Sequence, residues 1–425
     1  MSQNWVKNLI VASSLAFTIY LGFGLILPLF PKYVELLKGG GFEVGILLAS
    51  FMFTRAFLAR PFGRLSDRIG RKKVIVTGMF LYGILAFLFT VPTHWSGLFL
   101  VRILQGTASA MVWPVGEALV VDSAPREKRS RAISIYIFLT NIGIVAGPII
   151  GGGILYLSEE VLHLSELTSI KTPFYFTSAI AFIGAFIGLF FLRDVLPPIK
   201  DKKEMLREER KAVKLLRPVI QRSLYMLYAN SFFEGISWSL GSVVMFFFMQ
   251  RNFGMSAMVF SVLFGVAQGM GLILVVPSGV LSDSTRKKPF VVWGSLGSRI
   301  STLIMSFTPA FPFGKWLAMV FYSGKDMGRQ IAMPATRSLQ ADLVPEKIRG
   351  RLIGTIQAWS NIGAVMGPIA GGLIWDITNG RMYDLVIMDL PGDTIAFLLS
   401  ALMGIVAALL VHRYVYEPPK GKSIG

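Results

Sequence analysis

The sequence predicts an all-α polytopic membrane protein with twelve transmembrane helices, arranged as two six-helix halves. Three observations carry that reading. Of 425 residues, 53% are hydrophobic and only 16% charged, with a mean hydropathy of +0.61; ordinary soluble domains carry about 25% charge. Apolar runs long enough to cross a bilayer, roughly 20 residues each, recur along the whole chain. The second half then repeats motifs of the first.

The runs lie near 8–30, 43–62, 74–91, 97–121, 132–154, 172–192, 223–249, 257–279, 290–310, 316–341, 352–375 and 393–412. The first is too long for a signal-peptide core and eleven more follow, so it reads as a retained span. Membrane β-barrels would show short alternating segments instead. An even number of spans puts both termini on one side. Loops and tails on that side hold 29 Lys and Arg, the opposite loops 6, and the spans 7. The positive-inside rule therefore predicts cytoplasmic termini in an inner or plasma membrane. The net charge of +18 then reports topology and attraction to anionic lipid headgroups. No compact basic domain remains to bind nucleic acid.

The repeat is specific. Asn141-Ile-Gly-Ile-Val-Ala-Gly-Pro-Ile-Ile-Gly-Gly152 returns as Asn361-Ile-Gly-Ala-Val-Met-Gly-Pro-Ile-Ala-Gly-Gly372, identical at nine of twelve positions. Asp122, Pro125, Arg129 and Arg131 meet Asp342, Pro345, Arg349 and Arg351 at the same offset, and Gly63-Arg-Leu-Ser-Asp67 meets Gly279-Val-Leu-Ser-Asp283. The predicted domains are an N-terminal bundle (1–192), a basic cytoplasmic linker (193–222) and a C-terminal bundle with a short tail (223–425). Within the linker, an apolar stripe through Met205, Leu206, Ala212, Val213 and Leu216 predicts a short helix on the membrane surface. Parallel repeats of this kind place a binding site between the halves, near the bilayer midplane.

Between spans 2 and 3, Gly63, Asp67 and Arg71 stand in a short basic turn, with Asp122 at the cytoplasmic end of span 4; Asp283, Lys287 and Asp342 recur at the equivalent places. A carboxylate in such a turn pairs with neighbouring cations or faces a helix N-terminus. In span 5, Gly143, Gly147 and Gly151 make a smooth face for close helix approach, with Pro148 favouring a bend. Gly363, Gly367, Gly371 and Pro368 repeat it in span 11. Span 8, with Gly265 and Gly269, is the expected partner surface.

These motifs resemble those of the major facilitator superfamily, and the resemblance covers almost the whole chain. Gly63 to Lys72 is similar to that family's loop signature. Arg102-Ile-Leu-Gln-Gly106 is similar to its Arg-x-x-x-Gly motif in span 4, and Gly143-x-x-x-Gly-Pro148 to the antiporter motif of its drug-efflux branches. The resemblance implies two pseudo-symmetric bundles, with spans 1, 4, 7 and 10 lining a central cavity. It also implies that Asp67, Arg71 and Asp122 form a network stabilising one closed conformation.

Ionisable groups at membrane depth are costly and usually face a cavity or one another. Span 7 carries Glu234, with Asn230 and Trp238 one turn to either side. Span 10 carries Lys325, Asp326 and Arg329, and span 4 carries Arg102, Gln105 and Glu117. These are the expected substrate and proton pathway. Glu234 is expected to pair with Lys325 or Arg329, and Asp326 with Arg329. Arg55 and Arg299 read as structural, reaching headgroups or backbone carbonyls. Span 1 has no acid, so any proton carrier must be Glu234, Asp326 or Glu117.

With no cysteine and three scattered histidines, no disulfide, thiol nucleophile or recognisable metal set is expected. The chain reads as a transporter and not an enzyme, without cofactor or metal, monomeric, acting on a small molecule with protons as the coupling ion. Proton-coupled efflux of small amphipathic organic compounds is the first reading. An uptake porter for sugars or organic anions is the second, favoured by Lys325, Arg329 and Arg102. A non-transporting sensor or scaffold on the same fold is the third.

Overall fold

A computed structural model describes residues 2–125, 128–194, 218–344, 346–385 and 388–417. The linker helix expected near 205–216 lies outside them. The helices are α1 (Ser2–Ile26), α2 (Phe30–Leu36), α3 (Gly41–Ile69), α4 (Arg71–Leu88), α5 (Gly97–Ser123), α6 (Arg129–Tyr156), α7 (Glu166–Phe191), α8 (Pro218–Phe253), α9 (Ala257–Ser284), α10 (Lys287–Phe307), α11 (Gly314–Asp342), α12 (Glu346–Thr378) and α13 (Ile395–Tyr414). Apart from the one-to-two-turn α2, each matches one predicted span.

Nine of the described helices are long and apolar enough to cross a membrane. The other three long ones are α4, α11 and α12, and for the first two the reason is charge. α4 opens on Arg71-Lys72-Lys73, and α11 contains Lys325, Asp326, Arg329 and Arg337. One departure from an all-helical chain stands in the segment read as an acidic outer loop. There β1 (Met382–Leu385) pairs antiparallel with β2 (Met388–Pro391), Tyr383 opposite Leu390.

The chain divides into two compact units, Met1–Pro198 with Met255–Val266, and Ile199–Gly254 with Ala267–Gly425. In the first, α1 packs on α6 and α7, and α4 on α5 and α7. In the second, α8 packs on α12 and α13, and α10 on α11 and α13. The same four pairings recur in the same order, which is the sequence repeat expressed as packing.

The glycine faces explain the tightest of these pairings. A Cβ on Gly147 would lie 2.6 Å from the Leu21 carbonyl of α1, and one on Gly367 2.6 Å from the Ile236 carbonyl of α8. Gly143, Gly151, Gly363 and Gly371 meet the same two helices in the same way. The partner of the span 5 glycine face is therefore α1 and not span 8. Gly265 of α9 instead meets Val145 and Ile149, on another face of α6, and Ser261 donates a 2.8 Å hydrogen bond to the Pro148 carbonyl.

Candidate functional site

In the second unit the glycine contact brings α12 against α8 at backbone distance, and so sets Gln357 and Ser360 beside Asn230 and Glu234. From the other side comes α10. Its Gly294 sits so close to α11 that an added Cβ would lie 2.9 Å from the Gly328 carbonyl. Arg299, 5% exposed, extends from α10 across α13, where Gly404 leaves room for it. A Cβ at 404 would fall 2.2 Å from Arg299 Nε. Across that gap Arg299 Nη2 donates to Glu234 Oε2 in a short ion pair.

The partner of Glu234 is therefore Arg299, and not Lys325 or Arg329. The reading of Arg299 as a headgroup or carbonyl anchor is corrected with it. Arg329 instead turns its guanidinium over the Trp238 ring, 5.5 Å from the centroid, and Lys325 lies 4.9 Å over Tyr322. Asp326 is buried at 3% exposure, yet no ion pair of the described residues joins it to Arg329. Its part of α11 packs on α9, where Gly271 meets Gln330 and the Asp326 carbonyl. The expected i,i+3 ion pair does not form among the described residues, and the Arg329 guanidinium lies over Trp238 instead.

Around the Glu234–Arg299 pair opens a cavity of about 290 Å³. Besides that pair its charged lining is Arg329 and Arg337, with Asn230, Gln340 and Gln357 among its polar groups. A smaller cleft, lined by Trp238, Lys325, Arg299 and Arg329, adjoins it. Charged side chains on spanning helices thus surround a space that water or a solute can fill, the usual environment for intramembrane charge.

In the first unit Arg102 is sealed in, 2% exposed. Its guanidinium lies 3.7 Å over Phe30 and 5.2 Å over Phe89, and Nη1 donates to Gln105 Oε1 at 3.0 Å. Such a cage stabilises a cation through the ring quadrupoles without a counter-ion. Trp113 stacks on Tyr20 with centroids 4.2 Å apart and carries Arg55 at 4.6 Å on its ring. Arg55 is thus an aromatic-stacked residue and not a headgroup anchor. Glu117 is exposed.

The turn charges assemble as ion pairs. Arg71, 6% exposed, reaches Asp122 Oδ2 from Nη2 at 2.6 Å and from Nε at 2.7 Å, and Asp67 Oδ1 at 3.0 Å. In the repeat, Lys287 pairs with Asp342, while Asp283 accepts a 3.5 Å contact from Ser338. Gly63 has open space around it. Sequence reasoning missed two further carboxylates. Asp194, after the sixth span, accepts the backbone N–H of Lys72 at 3.2 Å; Glu417, after the twelfth, accepts those of Lys287 at 2.6 Å and Lys288 at 3.2 Å. Each faces the N-terminus of a spanning helix, where a negative charge is stabilised. Their matching places at the ends of the two halves were the available signal. For Arg299 it was the polar Ser295, Ser298, Arg299 stripe in an otherwise apolar run.

With this geometry, comparison with known proteins is decisive. A family model, Major Facilitator Superfamily, matches residues 12–328 and 227–424. The chain belongs to the major facilitator superfamily. Its relatives include multidrug resistance protein 2 of Bacillus subtilis, 24% identical over 87% of this chain and 88% of that one. The quinolone resistance protein NorA of Staphylococcus aureus is 24% identical over 92% and 96%. Among solved structures, a bacterial homologue of the human lysosomal transporter Spinster, inward-facing and unoccupied, shares the fold at TM-score 0.79 and 15% identity, covering 99% and 100%. The nucleoside transporter NupG does so at TM-score 0.76 and 15% identity, covering 96% and 100%. The protein is thus a multi-pass membrane transporter of the major facilitator type, with drug-efflux relatives at low identity.

Proposed function

We propose that this transporter exports small amphipathic organic compounds by proton-coupled alternating access. The efflux reading is supported by the names of the two resistance-protein relatives. The proton reading rests on one observation, the Glu234–Arg299 pair at the wall of a cavity. A carboxylate held by a buried guanidinium is stable as an ion pair; protonated, it loses the attraction and frees the cation. That gives the site two charge states, each favouring a different packing of α8, α10 and α13. In this reading both termini lie in the cytoplasm of an inner or plasma membrane, supported by the excess of Lys and Arg on the terminal side; the working form is a monomer, and the Arg71 and Lys287 pairs latch the cytoplasmic turns in one conformation.

The test is flux in proteoliposomes. With an imposed pH gradient, an intrinsically fluorescent quinolone should move against its own gradient, and a protonophore should abolish the movement. Absence of movement at either gradient polarity overturns proton-coupled transport. The charged cavity lining favours a second reading for the direction, proton-linked movement of an anion, and the polarity that drives flux separates the two.

A further inference from the structure

We propose that the cavity of the second unit takes the anionic group of its substrate, held by Arg329 and Arg337, so that the preferred substrates are organic anions with an aromatic or apolar body. This deepens the transport reading above and rests on it.

Charge supplies the first argument. The cavity wall carries three guanidiniums, Arg299, Arg329 and Arg337, against one carboxylate, Glu234. Glu234 is already engaged by Arg299. None of the ion pairs among the described residues involves Arg329 or Arg337. Asp326, the other acid of α11, lines neither this cavity nor the adjoining cleft, while Lys325 adds a further cation to that cleft. An excess of cations lining one concave space favours an entering anion.

Geometry supplies the second. Arg329 Nε is buried and has no hydrogen-bond partner, although an unmet buried donor is costly. Its guanidinium lies 5.5 Å from the centroid of the Trp238 ring, and a guanidinium's planar fork suits bidentate recognition of a carboxylate or phosphate. Asn230, Gln340 and Gln357 add neutral hydrogen-bonding groups. Trp238 and the apolar residues Val291, Ile353 and Ile356 offer surface for the substrate's body. A cationic drug would meet the opposite field, since Glu234, the one acid lining the cavity among the described residues, is committed to Arg299.

The decisive experiment compares three probes with one ring system and different charge: 1-naphthoate, 1-naphthamide and 1-naphthylmethylammonium. Each is titrated by calorimetry against the purified full-length protein in detergent, without a gradient. Naphthoate should bind at least about tenfold tighter than the amide, a difference of about 1.4 kcal/mol. Naphthylmethylammonium should bind weakest. Arg329→Gln should remove most of the naphthoate preference while leaving the amide almost unchanged. Arg337→Gln, at an exposed position, preserves folding and should weaken naphthoate severalfold. Equal binding of the three probes, tightest binding of the cation, no measurable naphthoate binding, or a preference surviving both substitutions would overturn the proposal. Because binding here needs no proton gradient, its failure is distinguishable from failure of proton-coupled flux.

Discussion

Removing the charge of Glu234 leaves Arg299 with 5% of its surface exposed and no carboxylate partner, whereas removing Arg299 leaves a glutamate whose side chain is 27% exposed to the cavity. The two single variants should therefore cost unequal amounts. Breaking a buried pair by deleting one member costs about 3–5 kcal/mol. Glu234→Gln retains a neutral acceptor for the guanidinium, which lowers the expected cost to roughly 2–3 kcal/mol, near the value of one hydrogen bond to a charged group. Arg299→Met keeps an apolar stem against Gly404, and cavity water can hydrate the remaining carboxylate, so about 1–2 kcal/mol is expected by the same principles. The double variant buries no unpaired charge and should be more stable than Glu234→Gln alone, giving a coupling energy of roughly 1–3 kcal/mol. The assay is unfolding in mixed micelles by increasing SDS fraction, followed by tryptophan fluorescence. Additive single-variant costs, or a larger loss for Arg299→Met than for Glu234→Gln, would refute the burial argument.

Four further outcomes are expected. Gly404→Ala places a methyl group where Arg299 runs, so it should impair gradient-driven flux with near-normal surface expression; unaltered flux would show that the arginine has another path. Asp122→Asn should reduce transport more than Asp67→Asn, since Asp122 receives two of the three Arg71 contacts and is the less exposed acid; equal effects would remove the ranking. Gly70 has φ +102° and a Cβ there would lie 1.9 Å from Asp194 Oδ2, so Gly70→Ala should destabilise by about 2 kcal/mol or more, measured by the same SDS unfolding. In this cysteine-free chain, Glu160→Cys should react with an impermeant thiol reagent from outside and Thr285→Cys only after permeabilisation; reversed labelling overturns the proposed orientation.

The fold was legible because each of its determinants is local or repeated. Span length is counted in apolar residues, orientation in basic ones, and the Gly143 and Gly363 faces announce helices that touch at backbone distance. Which helix touches them was not legible, since α1 and α9 both offer small residues, and the choice of α1 follows from the packing of the whole bundle. The candidate site was half legible. Glu234, Arg329 and Trp238 stand out in sequence because isolated charge and indole in an apolar run are conspicuous. The pairing is not readable, since the arginine nearest Glu234 depends on where α10 crosses α13, and that crossing is set by a glycine 105 residues beyond Arg299. Asp326 and Arg329 show the converse failure: i,i+3 spacing permits a pair but does not compel it once Trp238 competes for the guanidinium.

The central claim is that the Glu234–Arg299 pair couples proton movement to transport, and one comparison addresses it directly. Wild-type protein and Glu234→Gln are reconstituted in parallel, and quinolone movement is recorded twice, once driven by a pH gradient and once as exchange of labelled for unlabelled compound without a gradient. The account predicts that the variant loses gradient-driven movement and keeps exchange, because glutamine cannot release a proton while the cavity remains. Gradient-driven movement at the wild-type rate in Glu234→Gln would contradict it.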